Sequence, residues 1–159
     1  MPATPATQFL KAKQIAFDLL EYQHDPRAEA YALEAVDKLG LAASSVFKTL
    51  VVSDESAPAR HALVLVPAAE KLSLSAAAKA LSWKRAAMAK PADAQRLTGY
   101  VLGGISAFGT KKPLPVVVDD SLVGQTKIHL SGGRRGLEIG LAPGDLIASL
   151  SALVAPICA

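Results

Sequence analysis

Two short β-rich stretches separated by a turn constrain this chain more than any other feature. VFKTLVV at 46–52 and HALVLV at 61–66 are apolar and rich in β-branched residues, and SDESAPAR at 53–60 between them is dense in turn formers. Such a pattern reads as an antiparallel pair of strands. The longest apolar run, 62–69 with Pro67 inside it, is far short of the ~20 residues that span a bilayer. With 159 residues, 51% hydrophobic and only 19% charged, the chain can build one substantial core and is too apolar for disorder. The opening MPATPATQFLKAK lacks a basic patch followed by an apolar stretch, so no secretory signal is expected. The single cysteine, Cys158, leaves no material for a disulfide scaffold, an iron–sulfur cluster or a Cys-rich zinc site, and a cytoplasmic location is expected.

Helical spacing surrounds the two strands. Phe9, Ala12, Ala16, Phe17 and Leu20 predict an amphipathic helix within residues 4–20, and the alternating 20–24 predicts a strand closed by Asp25-Pro26. Tyr31, Ala35 and Leu39 place a helix over 28–39, with Gly40 as its left-handed cap. Further helices are expected at 74–81, 91–97 and 143–153, and strands at 115–118, 127–130 and 137–141. Helices and strands intermix without a βαβ rhythm, no segment repeats, and no low-complexity linker divides the chain. A single mixed domain follows.

Charge is unevenly distributed. Residues 79–135 carry ten Lys and Arg against Asp93, Asp119 and Asp120, a net +7, while the flanking segments are each net −2. A basic segment of this kind is either an ordinary solvated face or a surface that meets phosphates. Aromatics, at 5%, are not interleaved with the basic residues, which argues against a stacking platform for single strands. His24, His61 and His129 show no metal-ligand spacing, and GxSxG, GxGxxG and P-loop patterns are absent. Glu21 and Asp25 could form a carboxylate pair, although a turn capped by Asp25-Pro26 is the more ordinary explanation.

Three features remain. Gly103-Gly104 and Gly132-Gly133 are either plain turns or places where backbone N–H groups approach a ligand. Arg134-Arg135, set between glycines, suits a phosphate or carboxylate. Lys48 puts a charge in an otherwise apolar strand, where it either faces solvent or projects into a cleft.

Four stretches in order, EYQHDP at 21–26, VFKTL at 46–50, TGYVLGGIS at 98–106 and SGGRRGL at 131–137, together resemble the YbaK/EbsC family. These are the bacterial Cys-tRNA(Pro) deacylases, free-standing relatives of the editing domain inserted in some prolyl-tRNA synthetases. The resemblance covers essentially the whole chain. It implies one domain over residues 1–159, mixed α/β in the α+β sense, with a barrel-like sheet surrounded by helices. It also implies hydrolysis of the ester joining a wrong amino acid to tRNA, without metal or cofactor.

Carried over by motif, the family's essential lysine is Lys48, its active-site tyrosine Tyr22, and the threonine after the lysine Thr49. The backbone-donor loop is Gly103, Gly104, Ile105 and Ser106, and the SGG turn begins at Ser131. The acid after GG[KR]RGL is Asp in some relatives and Glu138 here, one methylene longer. Arg134, Arg135, Lys111 and Lys112 are expected to contact tRNA phosphates. The implied partners are an aminoacylated acceptor end and, as a candidate second partner, prolyl-tRNA synthetase. The family mechanism has the substrate's own cysteine thiol attack its carbonyl. Alternatives are a deacylase for Ala-tRNA(Pro) or another small aminoacyl-tRNA, and a non-catalytic tRNA- or synthetase-binding module.

Overall fold

The computed structural model describes residues 2–159. Helix α1 (Pro5–Ala12) leads to β1 (Asp18–Glu21) and α2 (Tyr31–Leu39). The hairpin β2 (Phe47–Asp54) and β3 (Ala57–Pro67) follows, then α3 (Leu74–Leu81), β4 (Ala86–Met88) and α4 (Pro91–Thr98). After a long loop come β5 (Val116–Asp119), β6 (Ile128–Ser131), β7 (Leu137–Leu141), α5 (Pro143–Leu150) and β8 (Leu153–Ala155). Single 3-10 turns sit at Ala43–Ser45 and Asp120–Leu122.

Five strands form one sheet in the order β4-β2-β3-β5-β8, and three form a second in the order β1-β7-β6. The expected antiparallel pair is β2–β3, with Lys48 opposite Val66 and Leu50 opposite Val64. β4 also pairs antiparallel with β2, but β3–β5 and β5–β8 are parallel, so the sheet is mixed. In the second sheet Glu138 on β7 lies opposite Leu20 on β1 and Ser131 on β6.

The α+β class holds, but the expected barrel-like sheet does not. The two sheets meet at one isolated bridge, Val46 with His129. Beyond it, Phe47 to Leu50 pair with β3 on one side only, because β4 and the Ala89 N–H that follows it reach no further than Val51. A barrel needs every edge closed, and this edge is open.

β3 is buried on both faces from His61 to Pro67, which accounts for its unbroken apolar run. Leu63 and Leu65 face a core containing Phe47, Phe108, Leu130 and Ile139. Ala62, Val64 and Val66 face another, made with Val117, Trp83, Ile157 and the α3 residues Ala77 and Ala78.

Several boundaries differ from the sequence reading. The first helix stops at Ala12: Lys13 caps it, Gln14 takes φ 58°, and Ile15 N–H returns to the Leu10 carbonyl. Ile15, Phe17 and Leu19 then pack on the core at a spacing of two, so the apolar residues after Ala12 follow strand period rather than helix period. β1 consequently begins and ends earlier than 20–24. The hairpin turn is only Glu55-Ser56. Asp54 Oδ1 accepts from Ser56 N–H (3.0 Å) and Ser56 Oγ–H (2.7 Å), leaving the other turn formers inside the strands. The last helix ends at Leu150, where Ser151 turns left-handed, and β8 takes the following residues. β4 and β8 have three residues each, too few to leave a periodic signal.

Candidate active site

At the open edge of β2 lies a cleft of about 530 Å³. Lys48, Thr49 and Leu50 of β2 line one side, and Tyr31 and Leu33 of α2 another. Gly103, Ile105, Ser131 and Glu138 complete it, with Glu29, Glu70 and Lys71 among its remaining lining residues. Residues 48 and 49 alternate in direction along the strand, yet both reach the cleft because no neighbouring strand covers that edge. Lys48 is therefore half-buried in a cleft wall, not on the solvent face.

The Gly103-Gly104 bend packs against Arg134 and Arg135, the residues that follow the second glycine pair. A Cβ on Gly104 would stand 2.7 Å from the Arg134 Cα, and one on Gly103 would stand 2.8 Å from the Tyr31 ring and 2.9 Å from Arg135 Nε. Only glycine permits this approach, and Gly103 also needs its φ of +84°. Arg135 Nε–H donates to the Leu102 carbonyl (2.8 Å) and its guanidinium lies 4.9 Å from the Tyr31 ring centre, joining the second bend to the first and to α2. Thr4 Oγ–H, at the cap of α1, donates to the Gly132 carbonyl (2.6 Å). Tyr100 O–H donates to the Phe108 carbonyl (2.6 Å), closing the loop that carries Gly103 and Gly104.

Of the four loop residues the motif picks out, Gly103 and Ile105 keep unused N–H groups. Gly104 N–H is used within the loop, donating to the Val101 carbonyl (2.9 Å). Among the described residues, the N–H groups of Gly103 and Ile105 have no protein acceptor, and both residues line the cleft, as does Leu102, whose N–H donates to Gln95 Oε1 (3.1 Å). Gly104 acts as a spacer. Ser106 is fully buried, its hydroxyl accepting from Phe108 N–H (3.3 Å), and does not reach the cleft.

Other expected residues are placed as follows. Thr49 Oγ1 is sealed from solvent and has no partner. Ser131 Oγ accepts from Gly133 N–H (3.2 Å). Tyr22 is half-buried outside the cleft lining; burial, then Glu138 and Glu34, push its phenol up to about 12. Arg134 pairs with Glu21 at 2.9 Å, so both Arg134 and Arg135 already have protein partners. Lys111 and Lys112 are exposed beyond α4, outside the cleft lining.

Glu138 is 5% exposed and lines the cleft. Its Oε2 has no hydrogen-bond partner, and burial raises its carboxyl to about 8. A buried acid with no compensating charge is costly and calls for an explanation.

One cluster was not legible in the sequence. Glu34 on α2 accepts from Asp25 N–H (2.7 Å), His24 Nδ1 (2.7 Å) and Lys38 Nζ (3.1 Å). Burial alone would raise this carboxyl, but those three donors hold it below the ordinary range. The cluster fastens α2, a cleft wall, to the 22–26 loop. Glu34 and Lys38 stand at helical i,i+4 spacing, but His24 and Asp25 lie ten and nine residues before Glu34, and neither helical nor strand spacing announces that link.

The sequence pattern of the aminoacyl-tRNA editing domain matches residues 27–148, most of the chain. The protein belongs to this editing-domain family. Aminoacyl-tRNA deacylation is the reaction class that membership carries. An editing-domain relative from Enterococcus faecalis, EbsC, provisionally named a Cys-tRNA(Pro)/Cys-tRNA(Cys) deacylase, is 33% identical over 133 residues, 82% of this chain and 79% of the relative. A crystal structure of a hypothetical protein superposes with TM-score 0.86 at 25% identity, covering 98% of this chain and 100% of the other. Another, described provisionally as a trans-editing enzyme for prolyl-tRNA synthetase, superposes with TM-score 0.81 at 24% identity, covering 100% and 99%, and shows the shared fold.

Proposed function

We propose that this editing domain is a trans-acting deacylase that removes cysteine from Cys-tRNA(Pro), with the substrate thiol as nucleophile. The observation that carries the reading is that Lys48 lines one cleft with Gly103 and Ile105, two residues whose N–H groups are unused, and that this lining has neither cysteine nor histidine. Its hydroxyls, Thr49 and Ser131, thus lack the imidazole that activates a serine nucleophile. The name of EbsC supports the substrate.

An aminoacyl ester is already activated, so placement and oxyanion stabilisation are what the protein must add. One preorganised donor is worth ~3 to 4 kcal/mol. The thiol, with an ordinary pKa of ~8.5, is only a few per cent ionised at neutral pH, and the Lys48 ammonium favours its thiolate. The thiolate sulfur forms a bond to the ester carbonyl carbon, and the Gly103 and Ile105 N–H groups receive the oxyanion. The carbonyl–oxygen bond to the ribose then breaks, the ribose oxygen takes a proton, and a strained four-membered thioester is released. Water opens it to free cysteine. Synthetases cannot reject so small a competitor in one pocket, since a methylene discriminates only 10- to 200-fold. That supplies the need for a second hydrolytic step.

The test is a deacylation panel with Cys-, Ala-, Ser- and Pro-tRNA(Pro), run on the parent and on Lys48→Ala. Rapid loss of Cys with Ser spared is expected, and Lys48→Ala is expected to lose hydrolysis while keeping tRNA affinity within a few-fold. Ser- and Ala-tRNA(Pro) hydrolysed as fast as Cys-tRNA(Pro) overturn the thiol mechanism. No hydrolysis of any ester makes the protein a binding module.

A further inference from the structure

The geometry points to Glu138 as the residue that reads the free α-ammonium of the esterified amino acid, so that the cleft rejects N-acylated esters. This inference rests on the deacylase reading above. It starts from two unpartnered atoms. Among the described residues only Thr49 Oγ1, His129 Nδ1 and Glu138 Oε2 are buried side-chain polar atoms without a hydrogen-bond partner, and the first and last belong to residues lining the same cleft. Native interiors rarely leave such atoms unpaired.

Glu138 makes no side-chain hydrogen bond with any described residue, and the little of it that is exposed opens on the cleft. Its neighbours across the strands, Leu20 and Ser131, offer no charge, and the Ser131 hydroxyl is engaged with Gly133. Tyr22 is nearby but offers a neutral phenol, and among the described residues no ion pair joins Glu138 to Lys48 or Lys71, the cations of the same cleft. What the carboxyl lacks is a cation.

An aminoacyl ester brings one. Its only positive charge is the α-ammonium, two bonds from the carbonyl that the Gly103 and Ile105 donors would hold. The cleft's other acids, Glu29 and Glu70, are exposed and keep their water, so they gain less from an ammonium than a desolvated carboxyl does. Burial keeps Glu138 largely protonated in the empty cleft. An arriving ammonium restores its ionised form, and an amide in the same place does not. Esters whose nitrogen is acylated, as in peptidyl-tRNA, would leave the acid unpartnered and be turned away.

Hydrolysis of Cys-tRNA(Pro) and N-acetyl-Cys-tRNA(Pro) is measured for the parent, Glu138→Gln and Glu138→Asp, each checked for a cooperative melt. The parent is expected to favour the free amine by roughly ten- to a hundredfold, the worth of one charged hydrogen bond. Glu138→Gln is expected to lose most of that preference through the Cys ester alone, with the N-acetyl rate unchanged, and Glu138→Asp to restore part of it. Equal parental rates on the two esters overturn the inference while leaving the deacylase in place, as does a Glu138→Gln variant that slows both esters alike. If Glu138→Gln does not fold, the parental ratio and Glu138→Asp still decide. No hydrolysis of either ester removes the deacylase reading and this inference with it.

Discussion

At the scale of single residues, Glu138 and Lys48 illustrate opposite outcomes. Lys48 is conspicuous in the sequence because a charge interrupts VFKTLVV, and what remains open there is only its direction. Glu138 is inconspicuous, one acid in LEIGL, and its interest comes wholly from being buried without a partner. That burial has a measurable consequence. The folded carboxyl titrates near 8 against an ordinary 4.5, so between those values the folded chain holds one proton more than the unfolded chain. Stability from this group is complete below about pH 4.5 and is lost as pH rises through 8. Glu138→Gln has nothing to titrate there. Its Tm is expected to gain on the parent's steadily from pH 5 to pH 8, by thermal melts in matched buffers. A constant Tm difference over that range would show that the carboxyl is already ionised in the fold.

At the scale of elements, the site depends on how closely two loops approach. Gly104 lies against the Arg134 backbone, where a methyl group would meet atoms at 2.7 to 3.0 Å that cannot rotate away. Gly104→Ala therefore forces the loops apart, with an overpacking cost of roughly 1 to 3 kcal/mol and displacement of the Gly103 and Ile105 donors. Hydrolysis is expected to fall at least tenfold with a lowered Tm. Gly144→Ala, in the first turn of α5 with nothing within 4 Å, is the control and should leave both unchanged or raise Tm slightly. A Gly104→Ala variant with parental rate would mean that loop contact does not set donor position. Most elements were legible at this scale. Strand β3 declared itself by its apolar run and α2 by its spacing and Gly40 cap, because each is decided by local burial. The end of α1, β4 and β8 were not, because tertiary pairing decides where such short segments stop.

At the scale of the whole molecule, the basic segment 79–135 looks different once folded. Arg85, Arg96, Lys127 and Arg134 pair with Glu55, Asp93, Asp18 and Glu21. Lys79, Lys84, Lys90, Lys111 and Lys112 are exposed with no ion pair among the described residues. If three or four of these meet tRNA phosphates, affinity should fall roughly ten- to a hundredfold between 50 and 200 mM salt, as measured by filter binding. A flat salt dependence removes the basic face from tRNA recognition. The sequence by itself determined the mixed class, the central hairpin and the four motifs, since these follow from local periodicity, turn chemistry and residue identity. Only the tertiary structure decided that the sheet stays open beside Lys48, that Gly104 spaces while Ile105 presents its N–H, that Arg134 and Arg135 are engaged within the protein, and that Glu138 lacks a partner. Each of these depends on which atoms from distant parts of the chain share one small, partly dry volume, and no pattern along a sequence records that.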